Sequence, residues 1–474
     1  MTTLVLGLDG AGFELLDPWI RAGELPTFER LRSEGVATDM TSCRPPVTCP
    51  NWKCYATGKN PGKLGVFWWE KIDRKNRQIN LTHSPDQFDG TNYWEFMDGK
   101  VACLNLPTSY PPHEINGVHV AGGPGAEQQG YAVPASFGQH LEETYDYRVH
   151  PRQLSKITKG DPDNECVEEI RDLITTRFTV VEDMISEDDY EFIHLSLFYI
   201  NMLQHFYYDH PVVRDTWKHI DRHISHLLEQ ENLDRLFIMS DHGSNKVNHW
   251  FRINSWLAQE GYLVPTGSSS TALHRIGVTK ERVRRMLNLF GVEWWARKLV
   301  PDEIQDRLPT DDGVIKKTAK SNALDWERST AIASGQGPVY VLEEDPDRRR
   351  AIRDELIDRL SGLKSPEGDL IIADAKSAQD VYNGPYVSEG PDILLDQASH
   401  VHIDGGIGSQ TVFDDPQKWN GENTLTGLFM AYGDDIRASA DLDDVHILDL
   451  APTILHALGY AVPSVMDGRV INQI

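Results

Sequence analysis

Four short apolar runs constrain this chain more than any other feature: TLVLGLDG (3–10), KVACLNL (100–106), FIHLSLFYI (192–200) and DRLFIMSDHG (234–243). Each is too short to be a buried helix and is apolar on both faces, so each reads as a strand with no side turned to water. The segments FELLDPWIRAG, LPTFERLRSEG, RDLITTRFTVVEDMIS and HPVVRDTWKHIDRHISHLLEQ carry apolar residues three and four apart, the spacing of helices with one buried face. Two-sided strands alternating with amphipathic helices predict an α/β fold, a largely parallel central sheet sandwiched by helices.

The texture changes near residue 265. TGSSSTALHR is small and polar, and the stretch to 384 is richer in Arg and Lys and mixed in pattern. Core-like segments then return at PDILLD, GLFMAYG and ILDLAPTILHALG. The expected organisation is a discontinuous core from 1–264 and 385–474, with 265–384 inserted as a cap that shapes the substrate pocket. Trp294, Trp295 and Trp326 in that insertion suit either a core or a stacking surface.

Charge excludes some partners. Lys and Arg total 46 against 72 Asp and Glu, a net charge of −26. That field disfavours nucleic acid and anionic membrane. The excess acid is dispersed in clusters such as EDDYE and EEDPD rather than gathered in a tail, which fits a salt-adapted cytoplasm. Five cysteines (43, 49, 54, 103 and 166) without paired spacing suggest reduced thiols in a cytosol. No apolar run reaches membrane-spanning length, and MTTLVLGLDG is too short in its apolar part for a signal peptide.

Ligands in open α/β sheets gather at the carboxyl ends of strands. Asp9 lies at one such end, and Asp241 with His242 in SDHG at another. A carboxylate beside an imidazole suits zinc or a similar dication, although Asp241 would equally cap a following helix. In YINMLQH, Asn201 and His205 are four apart and share a helix face. The stretch PPVTCPNWKCYATGKNPGKLG (45–65) is an odd way to build a surface turn, with Thr48, Cys49, Lys53, Cys54, Thr57 and Lys59 hemmed by prolines and glycines. Thr57, Lys59 and Lys63 there are expected to shape the turn, and Cys49 and Cys54 to pack.

Taken in order, LVLGLDG, PPVTCPNW, LNLPTSYPP, the His205 helix, SDHG, NSWLAQEGYL, GPDILL and ILDLAPTILHALGYAVPSVMDG resemble the alkaline phosphatase superfamily, in its type I phosphodiesterase/nucleotide pyrophosphatase branch. The resemblance spans nearly the whole chain. It implies a two-metal hydrolase with a threonine nucleophile, acting on a small phosphorylated, nucleotide-like substrate. Thr48 matches the nucleophile, and Asp9, Asp241 and His242 match the other ligands of the metal that holds its oxygen. Asn51 matches an amide that donates to a phosphate oxygen. The metal expected is zinc, with manganese the other option.

The pattern breaks at the second metal. The resemblance implies Asp and His four apart, plus a late His four residues before Gly427; the chain has Asn201, His205 and Asn423. An amide for a carboxylate removes a charge beside a dication, so one metal site is expected to be well formed and the second weak. His249, His400 and His402 are the candidate substitutes. Three alternatives follow: a single-metal phosphotransferase passing its group to an acceptor other than water, as in the lipid phosphoethanolamine transferases; a sulfatase-like hydrolase, disfavoured because Thr48 stands where a modified Cys or Ser would be; and a ligand-binding pseudoenzyme. Oligomeric state is not readable from the sequence.

Overall fold

The computed structural model describes residues 2–81, 90–152, 154, 157, 161–187, 189–266, 317–416, 418–436, 442 and 444–474. A nine-stranded sheet forms its centre, in the order Val445–His446, Val36–Thr41, Thr426–Gly433, Leu233–Met239, Thr2–Leu8, Phe192–Leu197, Val101–Pro107, Gly117–Gly122, Ala132–Val133. Five of the eight strand pairs are parallel, and Thr426–Gly433 runs antiparallel to both its neighbours.

The four apolar runs are the middle of this sheet, and their two-sidedness has a direct structural cause. Leu4, Leu6 and Leu8 point into one core, shared with helices Phe13–Arg21, Pro26–Glu34, Asn164–Ser186 and Pro211–Leu227. Val5, between them, points into the other, with helices Thr48–Thr57 and Leu450–Ala457. Successive strand residues face opposite sides, so a strand between two helix layers must be apolar at every position. Gly7 is required by close approach, because a Cβ there would lie 2.4 Å from the Trp52 ring.

PPVTCPNW is not a surface turn. Thr48–Thr57 is a helix with all ten residues buried, and it ends at Gly58 in the left-handed region, φ +64°. Asn60 then caps the short helix Pro61–Leu64, and Lys63 pairs with Asp467 at 2.6 Å. Cys49 and Cys54 are fully buried, as packing residues should be.

A second sheet of four strands (Ala331–Ala333, Pro338–Val341, Ile393–Gln397, Ile372–Ser377) lies beside a three-stranded one built on His249–Arg252. PDILLD therefore contributes its strand to this second sheet, paired with strands on either side of it in the fold and not with the central sheet. Residues 267–316, which include Trp294 and Trp295, lie outside the described residues. Trp326 packs against the core of the second sheet and donates to the Ser321 carbonyl at 3.0 Å.

Candidate active site

Three strand ends converge. Asp9 follows Thr2–Leu8, the helix Tyr199–Tyr207 follows Phe192–Leu197, and Asp241 and His242 follow Leu233–Met239. The two central strands adjacent to Thr2–Leu8 are parallel to it, so their carboxyl ends face the same way. Thr48 enters from the first residue of its buried helix, and its Oγ1 lies 3.2 Å from His242 Nε2.

The electrostatics of this cluster call for a cation. His242 Nδ1 lies 2.9 Å from the Gly243 carbonyl, which accepts its proton and leaves Nε2 as a lone pair. That lone pair faces Asp241 Oδ2 at 3.2 Å and Asp9 Oδ1 at 3.6 Å, with His242, Asp9 and Asp241 all fully buried. Asp241 Oδ2 has no hydrogen-bond partner among the described residues. Burial pushes the Asp9 carboxyl up to about 7, against hydrogen bonds from Trp52, Asn201 and Thr48. Burial and the neighbouring Asp9 charge raise Asp241 as well, while burial drops His242 to about 3. Two carboxylates and an imidazole lone pair turned on one point repel each other in a low-dielectric interior. The ligand atoms of Asp9, Asp241 and His242 lie within 4.8 Å of one another, a donor set that fits a zinc-type dication.

The second set of predicted ligands does not fit. Asn201 turns its amide nitrogen to Asp9 Oδ1 at 2.7 Å, and Gln204 fixes that orientation by donating to Asn201 Oδ1 at 3.3 Å. Gln204 is itself locked, donating to the Gly10 carbonyl at 3.0 Å and accepting from Trp217 Nε1 at 3.0 Å. Gly10 has φ +74°, and a Cβ there would lie 2.4 Å from Asn201 Oδ1, so the amide is clamped against the backbone. His205 Nδ1 lies 2.8 Å from the Gly421 carbonyl, and its ring stacks on Trp419 at 3.7 Å. Asn423 reaches the same cavity through the pairing Ser244↔Asn423, and its Oδ1 is buried with no partner among the described residues. What remains for a second dication is two neutral donors, with no carboxylate among the predicted ligands.

Asn51 is not brought to the cluster. Its Oδ1 accepts from the Cys43 amide at 2.7 Å, and its Nδ2 donates to the Pro45 carbonyl at 2.9 Å and the Val47 carbonyl at 3.1 Å. It holds together the loop that leads into Thr48, and both ends of its amide are engaged there. Of the three candidate substitutes only His402 lines the cavity. His249 Nε2 instead lies 3.6 Å from Asp369, and His400 Nδ1 lies 2.9 Å from the Lys246 carbonyl. His402 Nδ1 bonds the buried carboxylate of Glu422, which also accepts from Gln336 Nε2 at 2.7 Å.

The cavity beside Thr48 has a volume of about 430 Å³, and aromatic residues Trp68, Trp69, Phe198, Trp250 and Trp419 form part of its wall. Lys320, Gly335 and Gln336 reach it from the region expected to be a cap. Sequence reasoning missed these tryptophans, and also Trp52, whose Nε1 donates to Asp9 Oδ2 at 2.9 Å. Trp52 was legible in one respect: four residues after Thr48, it shares a helix face with it.

Known proteins share this fold. The solved structure of phosphonoacetate hydrolase from Sinorhizobium meliloti 1021 superposes with a TM-score of 0.59 at 12% identity, covering 98% of this chain and 96% of that one. The alkaline phosphatase PafA superposes with a TM-score of 0.55 at 14% identity, covering 100% and 98%. Human ectonucleotide pyrophosphatase/phosphodiesterase 5 gives 0.52 at 12% identity, covering 99% and 97%. At such identities the likeness establishes the alkaline phosphatase-like fold. No curated protein is a significant match in sequence. The sequence profile of one family, described as type I phosphodiesterase / nucleotide pyrophosphatase, matches residues 3–402. The chain therefore belongs to the type I phosphodiesterase/nucleotide pyrophosphatase family of hydrolases.

Proposed function

We propose that this chain is a metal-dependent phosphodiesterase in which Thr48 is the nucleophile and a single dication, held by Asp9, Asp241 and His242, serves the reaction. The observation that carries this reading is the convergence of the Thr48 hydroxyl with His242 Nε2 at 3.2 Å, where that nitrogen also faces two buried carboxylates. A bound zinc or manganese ion would neutralise those carboxylates and make the Thr48 hydroxyl more acidic.

Thr48 stands at the N-terminal residue of its helix, whose positive dipole end favours an anionic oxygen and an incoming phosphoryl group. Its Oγ1 forms a bond to phosphorus as the bond to the leaving alcohol breaks; water then releases the phosphoryl group and restores the hydroxyl. Trp52 and Asn201 each donate to Asp9 and fix its carboxylate, while Asn51 holds the loop in front of Thr48. The aromatic cavity is of a size for a small phosphorylated, nucleotide-like substrate, with rings on which a base can stack. A salt-rich cytoplasm suits the −26 net charge and the five buried cysteine thiols. Among the described residues no helix is long and apolar enough to cross a membrane.

The test is Thr48→Ala, assayed on an activated aryl phosphodiester with matched metal content. Turnover should vanish with the melting temperature unchanged; equal rates would remove Thr48 from the mechanism. The clamped Asn201 amide favours a second reading, a single-metal phosphotransferase. In that case an added alcohol acceptor should capture the phosphoryl group faster than water does.

A further inference from the structure

On the helix layer, away from the active site, a second group of donors gathers among the described residues. Helices Asn164–Ser186 and Pro211–Leu227 run side by side in the same direction. Their contacts climb in register: Arg171 Nε donates to Thr216 Oγ1 at 3.1 Å, Thr175 Oγ1 lies 2.9 Å from His219 Nε2, and Phe178 stacks on His223 at 4.8 Å. The next step pairs Glu182 with His223 and His226, whose ligand atoms all lie within 4.8 Å of one another.

We propose that Glu182, His223 and His226 form a binding site for a zinc-type dication that ties together the last turns of these two helices. His223 and His226 are three apart, so one helix face presents both, and Glu182 answers from the neighbouring helix. Glu182 Oε1 is buried with no hydrogen-bond partner among the described residues, a position that a cation would satisfy and that folding otherwise leaves costly. The His223 ring is held in place by Phe178 and by Thr175 Oγ1 at 3.2 Å from its Nε2. Zinc bonds of about 2.0–2.2 Å would bring tetrahedral donors to roughly 3.4 Å apart. The present separations exceed that by no more than about 1.4 Å, a closure that rotation of the exposed His226 side chain can supply. Two imidazoles and a carboxylate favour zinc over magnesium or calcium, with the fourth position left to water.

The test counts zinc on the chelator-stripped full chain by equilibrium dialysis, in the parent, His226→Ala, Glu182→Gln and His242→Ala. The parent should bind two ions per chain, and each variant should retain one. Affinity at the lost surface site should fall at least about tenfold, given that even indirect partners of a metal cost 10–100-fold. Phosphodiester turnover of zinc-loaded His226→Ala should equal that of the parent. Zinc binding by His226→Ala and Glu182→Gln that matches the parent in number and affinity would overturn the proposal. So would a parent that binds one ion and loses it in His242→Ala. If His242→Ala keeps every parental ion while His226→Ala loses one, the surface site stands and the active-site metal reading falls.

Discussion

The clamped amide at Asn201 gives the sharpest test of the one-dication reading. Its nitrogen donates to Asp9 Oδ1 at 2.7 Å, so Asn201→Asp puts a second carboxylate against the first. With charge centres about 4 Å apart and an effective dielectric near 20, the repulsion is about 4 kcal/mol. Loss of the charge-assisted hydrogen bond adds roughly 1.5–3 kcal/mol, and protonation of one carboxyl limits the total. At pH 8 in chelator the variant should therefore be less stable by about 4 kcal/mol. For a chain of this length melting as one unit that is a drop of about 4 °C. Saturating zinc should recover most of it, since a dication between the carboxylates turns repulsion into coordination. Adding Asn423→His supplies a third donor beside His205. The double variant is best built on His226→Ala, where the surface site cannot contribute, and its zinc count should rise from one toward two. Hydrolysis of an aryl phosphodiester should accelerate if the added ion stabilises the leaving oxygen. A chelated Asn201→Asp protein that melts with the parent, or two tightly bound ions already present in His226→Ala, would refute this reasoning.

Asp9 makes the metal-free protein pH-sensitive. Its carboxyl is raised from 3.8 to about 7, so the folded state binds the proton more tightly than the unfolded state, and stability is lost as pH rises from about 4 to about 7. Chelated Asp9→Asn should accordingly gain stability over the parent at pH 8 and little at pH 4, by urea denaturation; an equal difference at both would reject the shift. Asn51→Ala should lower the melting temperature as well as turnover, because its three strong bonds hold the loop before Thr48; loss of rate at an unchanged melting temperature would restore it to the catalytic role. The −26 net charge predicts a melting temperature that rises from low to molar salt, and a flat profile would count against salt adaptation.

The sequence alone determined the sheet and the place of the candidate ligands at its strand ends. Runs apolar at every position have one stable setting, a strand between two helix layers, and Leu4 and Val5 do enter opposite cores. Asp9 and the Asp241–His242 pair follow such runs, so their place at the carboxyl edge was legible from order alone. The second sheet was not legible: the apolar PDILLD suits any buried strand, and pairing partners on two other strands, Pro338–Val341 and Ile372–Ser377, choose its sheet. Nor could the sequence decide what Asn51 and Asn201 do. An amide is donor and acceptor at once, and its role depends on which groups surround it. For Asn51 these are three loop carbonyls and the Cys43 amide; for Asn201 they are Asp9 and a Gln204 held by Trp217. Asp9 is 192 residues from Asn201, and the carbonyls around Asn51 converge only because its short loop folds back on the helix, so only the folded arrangement fixes which way each amide turns.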